Sequence, residues 1–218
     1  MDTKSPLQIQ AYEYLKDLIL SGKLEPDILY SETRMSAEIG ISRTPMREAI
    51  QCLSQDGYID VIPSRGFRVR QLNQSDMLET IQVRCAIEGF CVHLIVKEIH
   101  TSGGQSLLAS LQKLLDKQEK ALQGKREETV LKHFMEYDHQ FHMSMINYAQ
   151  NKEFEQTLER LMYLIHLTTV SALSVPGRIE STFKEHQDFF AALKRGDGEK
   201  AYHLLIQHLM APLSMEIV

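Results

Sequence analysis

The chain has 218 residues, 43% of them hydrophobic and 24% charged, an ordinary soluble composition with enough apolar content for one or two packed cores. No apolar run approaches the roughly 20 residues needed to span a bilayer, and the opening MDTKSPLQIQ has no hydrophobic stretch of a secretion signal, so a cytoplasmic location without a membrane partner is expected. The formal net charge of −5 excludes a bulk polycation, so any binding to nucleic acid must come from a local basic patch.

Residues 31–70, SETRMSAEIGISRTPMREAIQCLSQDGYIDVIPSRGFRVR, carry the strongest local signal. Ser31 is a good helix N-cap with Glu32 in the first turn, and Met35 and Ile39 share a face. Gly40 ends that helix, because glycine accepts the left-handed conformation a helix C-terminus requires. Thr44 and Pro45 open a second helix, with proline expected at its first position. Met46, Ala49, Ile50 and Leu53 then form one buried stripe. Arg43, Arg47 and Gln51 fall on another face, with Arg43 and Thr44 at the leading tip. Gly57 closes the helix, residues 58–62 and 67–69 read as strands, and Pro63-Ser64-Arg65-Gly66 is the turn between them. Arg65, Arg68 and Arg70 follow with no acid among them. Two helices joined by a tight turn and followed by a basic hairpin form a winged helix-turn-helix, in which the second helix enters the DNA major groove. Arginine at its tip can grip guanine bidentately or hold a phosphate.

The pattern SE-x-x-M-x-x-x-x-GISRTPMREAI-x-x-L-x-x-DGYI-x-x-x-PSRGFRV resembles the DNA-binding domain of GntR-type bacterial transcription regulators. Tyr12 to Gly22 and Leu24-Glu25-Pro26 resemble that family's first helix and the turn after it, so the likeness covers about residues 6–70. The resemblance implies that Ser42, Arg43, Thr44 and Arg47 contact bases and phosphates, with Arg65 and Gly66 at the wing. Thr33 stands where members of the family often carry a contacting arginine, with Arg34 beside it. Tyr30 replaces a common proline and Asp27 a common glycine.

Residues 71–75 read as a linker, separating a domain at 1–71 from a second at 75–218. Beyond the linker, helical periodicity dominates, with six expected helices at about 75–100, 104–123, 128–149, 152–173, 177–195 and 198–215. Ser75 and Asn151 are expected N-caps. Short connections between helices of this length make an antiparallel all-α bundle, so the chain as a whole is mainly α. Cys52, Cys85 and Cys91 are an odd set without metal-type spacing and are expected as reduced thiols.

Several polar residues interrupt the apolar faces of this bundle. Asp138 and His142 lie one turn apart on the stripe of Phe134, Phe141 and Met145. His186 falls among Phe183, Phe190 and Leu193, and His208 among Ala201, Leu204, Leu205 and Ala211. Burying four such groups unpaired would cost several kcal/mol, whereas one divalent cation satisfies all of them. Three imidazoles and a carboxylate without a thiolate suit zinc or nickel, with iron or manganese as further options. His93, His100, His133, His139, His166 and His203 are read as surface or internally satisfied histidines.

Residues 75–218 resemble the FCD ligand-binding domain of many GntR-type regulators, through Asp138-x-x-x-His142, Glu185-His186, Ala192-Leu193, Gly196-Asp197, Ala201 and His208. The length and six helices are closer to the shorter, VanR-like branch of the FadR/FCD subfamily. The resemblance implies a metal held by Asp138, His142, His186 and His208. It also implies that Arg84, paired with Glu88 at i+4, lines the effector cavity and can bind a carboxylate through its guanidinium.

These readings imply a homodimeric regulator, not an enzyme, that binds an inverted-repeat operator in double-stranded DNA and answers to a small organic acid. An alternative is a regulator for which the divalent ion is itself the signal. A metal-dependent hydrolase fits less well, because the sequence offers no general base beside the four ligands.

Overall fold

The computed structural model describes residues 5–215 and 217, and the chain divides into two compact units. The first contains residues 5–72 together with residues 159–164; the second contains 73–158, 165–215 and 217. Among the described residues no helix is long and apolar enough to cross a membrane, and Cys52, Cys85 and Cys91 are free thiols.

In the first unit, α1 (Pro6–Leu20), α2 (Glu32–Glu38) and α3 (Arg43–Gln55) precede a hairpin of β1 (Ile59–Ile62) and β2 (Gly66–Val69). Ser5 caps α1 by accepting from the Gln8 amide, and Pro6 occupies the first helical position, where its missing N–H costs nothing. Ala11, Leu15 and Ile19 recur every four residues and pack α1 on the Met46–Ala49–Ile50–Leu53 stripe of α3. Helix α3 begins at Arg43 with Ser42 as N-cap, so Pro45, expected at its first position, is its third residue. That is still within the first turn, where no intrahelical bond from the Pro45 nitrogen is lost.

The hairpin is antiparallel, with Ile59 opposite Val69 and Ile62 opposite Gly66. Tyr30 joins it from outside: its N–H donates to the Phe67 carbonyl at 2.8 Å, and its carbonyl accepts from the Phe67 N–H at 3.0 Å. A proline at position 30 could not make the first of these bonds. Asp27 has φ +66°, a left-handed conformation that accounts for the preference for glycine at that place.

The second unit is a bundle of α4 (Gln74–Lys97), α5 (Ser102–Leu122), α6 (Glu127–Tyr148), α7 (Lys152–Leu173), α8 (Arg178–Lys194) and α9 (Gly198–Met210), of which the middle of α7 groups with the first unit. A 3-10 turn, Ala211–Ser214, follows α9. The six expected helices are present, with ends that differ for local reasons. Asn73, rather than Ser75, caps α4 by accepting from the Asp76 amide. Asn151 caps α7 as expected, accepting from the Glu153 amide. Gly177 has φ +78° and stays outside α8. Pro212 cannot donate to a continuing α ladder, and the expected helix to 215 ends at Met210. Ile95, Leu111, Phe141, Met145, Phe189, Leu193, Ala201 and Leu205 form the core between α4, α5, α6, α8 and α9.

Candidate metal centre and nucleic-acid interface

The exposed face of the first unit carries the basic residues singled out above. Ser42, Arg43, Thr44 and Arg47 are all exposed at the N-terminal end of α3, and Arg65 and Arg68 are exposed on the hairpin, with Gly66 partly covered. Glu32 of α2 organises the two helix arginines. Its Oε1 accepts from Arg43 Nη2 at 2.5 Å and from Arg47 Nη2 at 2.6 Å, and its Oε2 accepts from Arg47 Nε at 3.2 Å. Hydrogen bonds from Arg47 and then Arg43 hold the Glu32 carboxyl at about 2. Arg34 points to Glu38 at 3.1 Å and is 78% exposed, so it is not part of this cluster. From the sequence alone Glu32 reads only as a favourable first-turn acid. A lone acid facing a run of arginines one helix away was the available signal.

In the second unit, α6, α8 and α9 bring Asp138, His142, His186 and His208 together, and all four are buried. One ligand atom from each lies within 4.8 Å of all the others. His208 Nε2 is 3.2 Å from His142 Nε2 and 3.3 Å from His186 Nε2. Asp138 Oδ1 is 3.5 Å from His186 Nε2 and 4.0 Å from His142 Nε2. Nitrogens about 2.0–2.1 Å from a tetrahedral ion are separated by about 3.3–3.4 Å, so the imidazole spacing fits a first-row divalent cation. The other six histidines do not join this group: five are exposed and His166 is half-buried.

The far side of each ring explains why the three Nε2 atoms converge. His142 Nδ1 is 2.6 Å from Glu88 Oε2, His208 Nδ1 is 2.7 Å from Glu185 Oε2, and His186 Nδ1 is 3.0 Å from Gln118 Oε1. Burial raises the Glu88 carboxyl, but Arg84 and His142 outweigh it and hold the group at about 2. Burial likewise raises Glu185, and His208 and Arg178 bring it to about 2. Ionised carboxylates only accept, so His142 and His208 carry a proton on Nδ1 and turn Nε2 inward. Burial, reinforced by the neighbouring His208 and His142, pushes His186 well below the usual histidine range. Burial also lowers His208, against the pull of Glu185. Imidazoles held from behind by outer hydrogen-bond partners are what a metal site requires.

Glu88, Gln118 and Glu185 were not identified as site residues from the sequence. Gln118 gave the same signal as the histidines, a polar residue among Leu114, Leu115 and Ala121, and it is fully buried. Glu185 follows no such rule: it adjoins His186 in sequence but serves His208.

Beside the ligands is a small cavity of about 40 Å³, lined by Arg84, Asp138, Thr168, Arg178, Thr182 and His208 with Ile81, Leu173 and Leu209 as apolar wall. Arg84 is among the residues that line it, and its Nε also donates to Glu88 Oε1 at 2.7 Å, the expected i, i+4 pair. Arg178 holds Glu185 through both terminal nitrogens, with Nη2 donating to Oε2 at 2.8 Å. Its Nε, and the hydroxyls of Thr168 and Thr182, are buried without a hydrogen-bond partner. Such orphan atoms cost about 1–3 kcal/mol each unless something satisfies them.

The profile of the FCD domain matches residues 79–211, and that of bacterial regulatory proteins of the gntR family matches residues 7–69. The chain is 27% identical to the HTH-type transcriptional regulator YdhC of Bacillus subtilis, over 95% of this chain and 90% of that one. It is 26% identical to the HTH-type transcriptional repressor RspR of Escherichia coli, over 96% and 88% of the two chains. The crystal structure of a GntR regulator from Rhodococcus sp. RHA1 superposes with a TM-score of 0.75 at 19% identity, covering 96% of this chain and 97% of that one. The chain therefore belongs to the GntR family of transcription regulators with a C-terminal FCD domain, and it is a regulator rather than an enzyme.

Proposed function

We propose that this GntR-type regulator binds an inverted-repeat operator as a homodimer in the cytoplasm, and that a small carboxylate at a metal site in its FCD domain controls that binding. The working division is a DNA-reading domain at 1–71 and an effector domain at 75–218. The observation that carries the reading is the convergence of three imidazole nitrogens and one carboxylate oxygen within 4.8 Å, with Arg84 lining a cavity next to two of those ligands. Asp138, His142, His186 and His208 would hold the ion; the donor set suits zinc or nickel, and also iron or manganese. A bound ion would supply positive charge and, by expanding beyond its four protein ligands, a position for an anion. Arg84, fixed at Nε by Glu88, directs its remaining N–H groups to the anion's other oxygen. Ser42, Arg43, Thr44 and Arg47 read the major groove, and Arg65 and Gly66 follow the backbone at the wing. Arg34, tied to Glu38, is assigned a weaker phosphate contact. A dimer is required because one recognition helix spans too few bases for useful specificity. The effector alters operator affinity by preferring one arrangement of the dimer, a population shift.

The test is elemental analysis of the purified protein, followed by operator titrations with and without a carboxylate panel. A stoichiometric divalent metal and a carboxylate-dependent change in affinity are expected. A change in affinity produced by metal removal alone, with no response to any carboxylate, would make the ion itself the signal.

A further inference from the structure

Glu32 stands behind the two helix arginines rather than in front of them. Its side chain is 20% exposed, against 58% for Arg43 and 60% for Arg47. An incoming duplex therefore meets the guanidiniums first, with the carboxylate on their protein side. Arg47 is gripped along one edge: its Nε donates to Oε2 at 3.2 Å and its Nη2 to Oε1 at 2.6 Å. Arg43 reaches the same Oε1 through Nη2 at 2.5 Å.

A guanidinium carries five N–H groups in one rigid plane. The grip on Arg47 uses Nε–H and one N–H of Nη2. The outer fork, one N–H each from Nη1 and Nη2, is left directed away from Glu32. Two parallel N–H groups of this kind span O6 and N7 of guanine. An arginine free on a helix surface loses rotamer freedom when it meets a base, and the grip of Glu32 removes part of that loss beforehand.

The same carboxylate works against indiscriminate binding. Two guanidiniums and one carboxylate sum to a single positive charge. A backbone phosphate binds by charge, and it meets arginines already half neutralised. The pair is weak enough for a phosphate to open it, whereas a guanine needs only the fork that is already free.

We infer that Glu32 is a positioning residue for DNA reading: it stays on Arg47 in the operator complex and aims the outer fork at O6 and N7 of one guanine in each half-site. This inference rests on the reading of α3 as the recognition helix given above.

The experiment uses the full chain. Selection from a random duplex pool yields the bound sequence. Fluorescence anisotropy then compares that duplex, a scrambled one, and versions in which single guanines are replaced by 7-deazaguanine, which lacks the N7 acceptor. For the parent, one such replacement per half-site should weaken binding about tenfold. Glu32→Gln should bind the selected duplex about tenfold more weakly and lose its sensitivity to that replacement. It should bind the scrambled duplex at least as tightly as the parent does, with a salt dependence steeper by about one released ion. Arg47→Lys, which keeps the charge but lacks the fork, should lose the same sensitivity. A merely structural role for Glu32 would weaken both duplexes together and leave the guanine sensitivity in place, and that outcome would overturn the inference. So would a Glu32→Gln variant with the parent's preference for the selected duplex. A parent that selects no sequence would remove α3 as the recognition helix and this inference with it.

Discussion

One carboxylate, Glu88, joins an arginine to a candidate metal ligand: its Oε2 lies 2.6 Å from Nδ1 of His142 while its Oε1 accepts from Nε of Arg84 at 2.7 Å. Glu88 is fully buried, so both bonds form in a low-dielectric setting where a charged pair is held firmly. The side chain thus fixes the tautomer of the ligand and the aim of the guanidinium together.

Replacing Glu88 by Gln should therefore weaken metal binding about 10- to 100-fold. The amide keeps the shape but loses the charge that keeps the His142 proton on Nδ1. Competition against a chromophoric chelator measures the affinity directly. Affinity unchanged from the parent would reduce Glu88 to a partner of Arg84 alone.

Arg43 and Arg47 are both more than half exposed and share Glu32. An exposed ion pair contributes about 1 kcal/mol or less, so DNA can displace Glu32 readily. Substituting either arginine by Ala should weaken specific operator binding by about 1–3 kcal/mol, and metal content should be unaffected. Fluorescence anisotropy with operator and scrambled duplexes at several salt concentrations checks this. Equal affinity for the operator before and after Arg47→Ala would remove α3 as the recognition helix.

Glu32 also predicts a pH dependence of stability. Its carboxyl is held at about 2, below the ordinary 4.5. A depressed pKa contributes its full stabilisation above about pH 4.5, where the group is ionised in both folded and unfolded chains. The contribution is lost as the pH falls through about 2, because the unfolded chain takes up the proton first. Since both arginines are largely exposed, the effect should not exceed about 1 kcal/mol. Urea unfolding of the parent and Glu32→Gln at pH 3 and pH 6 tests it: the gap between them should shrink at the lower pH. A gap that widens on acidification would contradict the ion-pair geometry.

The parts of this molecule that were legible in the sequence are those with a periodic or local cause. The α3 stripe, the hairpin and the convergence of Asp138, His142, His186 and His208 all follow from side chains on predictable faces of regular elements. What was not legible depends on tertiary partners. Glu185 serves His208 across 23 residues, and Gln118 serves His186 across 68. Neither spacing repeats a helical period, so no pattern within one helix could assign those pairs. Arg178 is a similar case: only the packed bundle shows that a first-turn residue of α8 is buried with an unpaired Nε.

Gly66 marks where the wing leaves no room. Its φ is +133°, and a Cβ there would sit 2.0 Å from the Tyr30 carbonyl oxygen, the acceptor of the Phe67 amide. Gly66→Ala should distort that bridge as well as strain the turn, with a loss of about 1–3 kcal/mol. Denaturant unfolding of the N-terminal unit's signal in the full chain, together with operator affinity, reads both consequences. A variant as stable as the parent would mean that the backbone at Tyr30 can move aside without cost.

The metal site makes the largest thermodynamic prediction. Binding to the folded chain alone adds stability that grows with the ratio of free metal to dissociation constant, about 4 kcal/mol at a thousandfold excess. In a domain of this size each kcal/mol moves the melting temperature by about 2–4 °C. Chelation should therefore lower the melting temperature by about 10 °C, and His208→Ala should show the lower value with or without chelator. Arg84→Ala should instead keep the metal and the chelator effect while losing the response to carboxylates, since the guanidinium lines the cavity without being among the four ligands. Elemental analysis and thermal melts of the two variants separate these outcomes. Stoichiometric metal retained in an Asp138→Ala, His186→Ala double variant would show that the ion is held elsewhere, and a carboxylate response that survives Arg84→Ala would move the anion contact to another residue of the cavity.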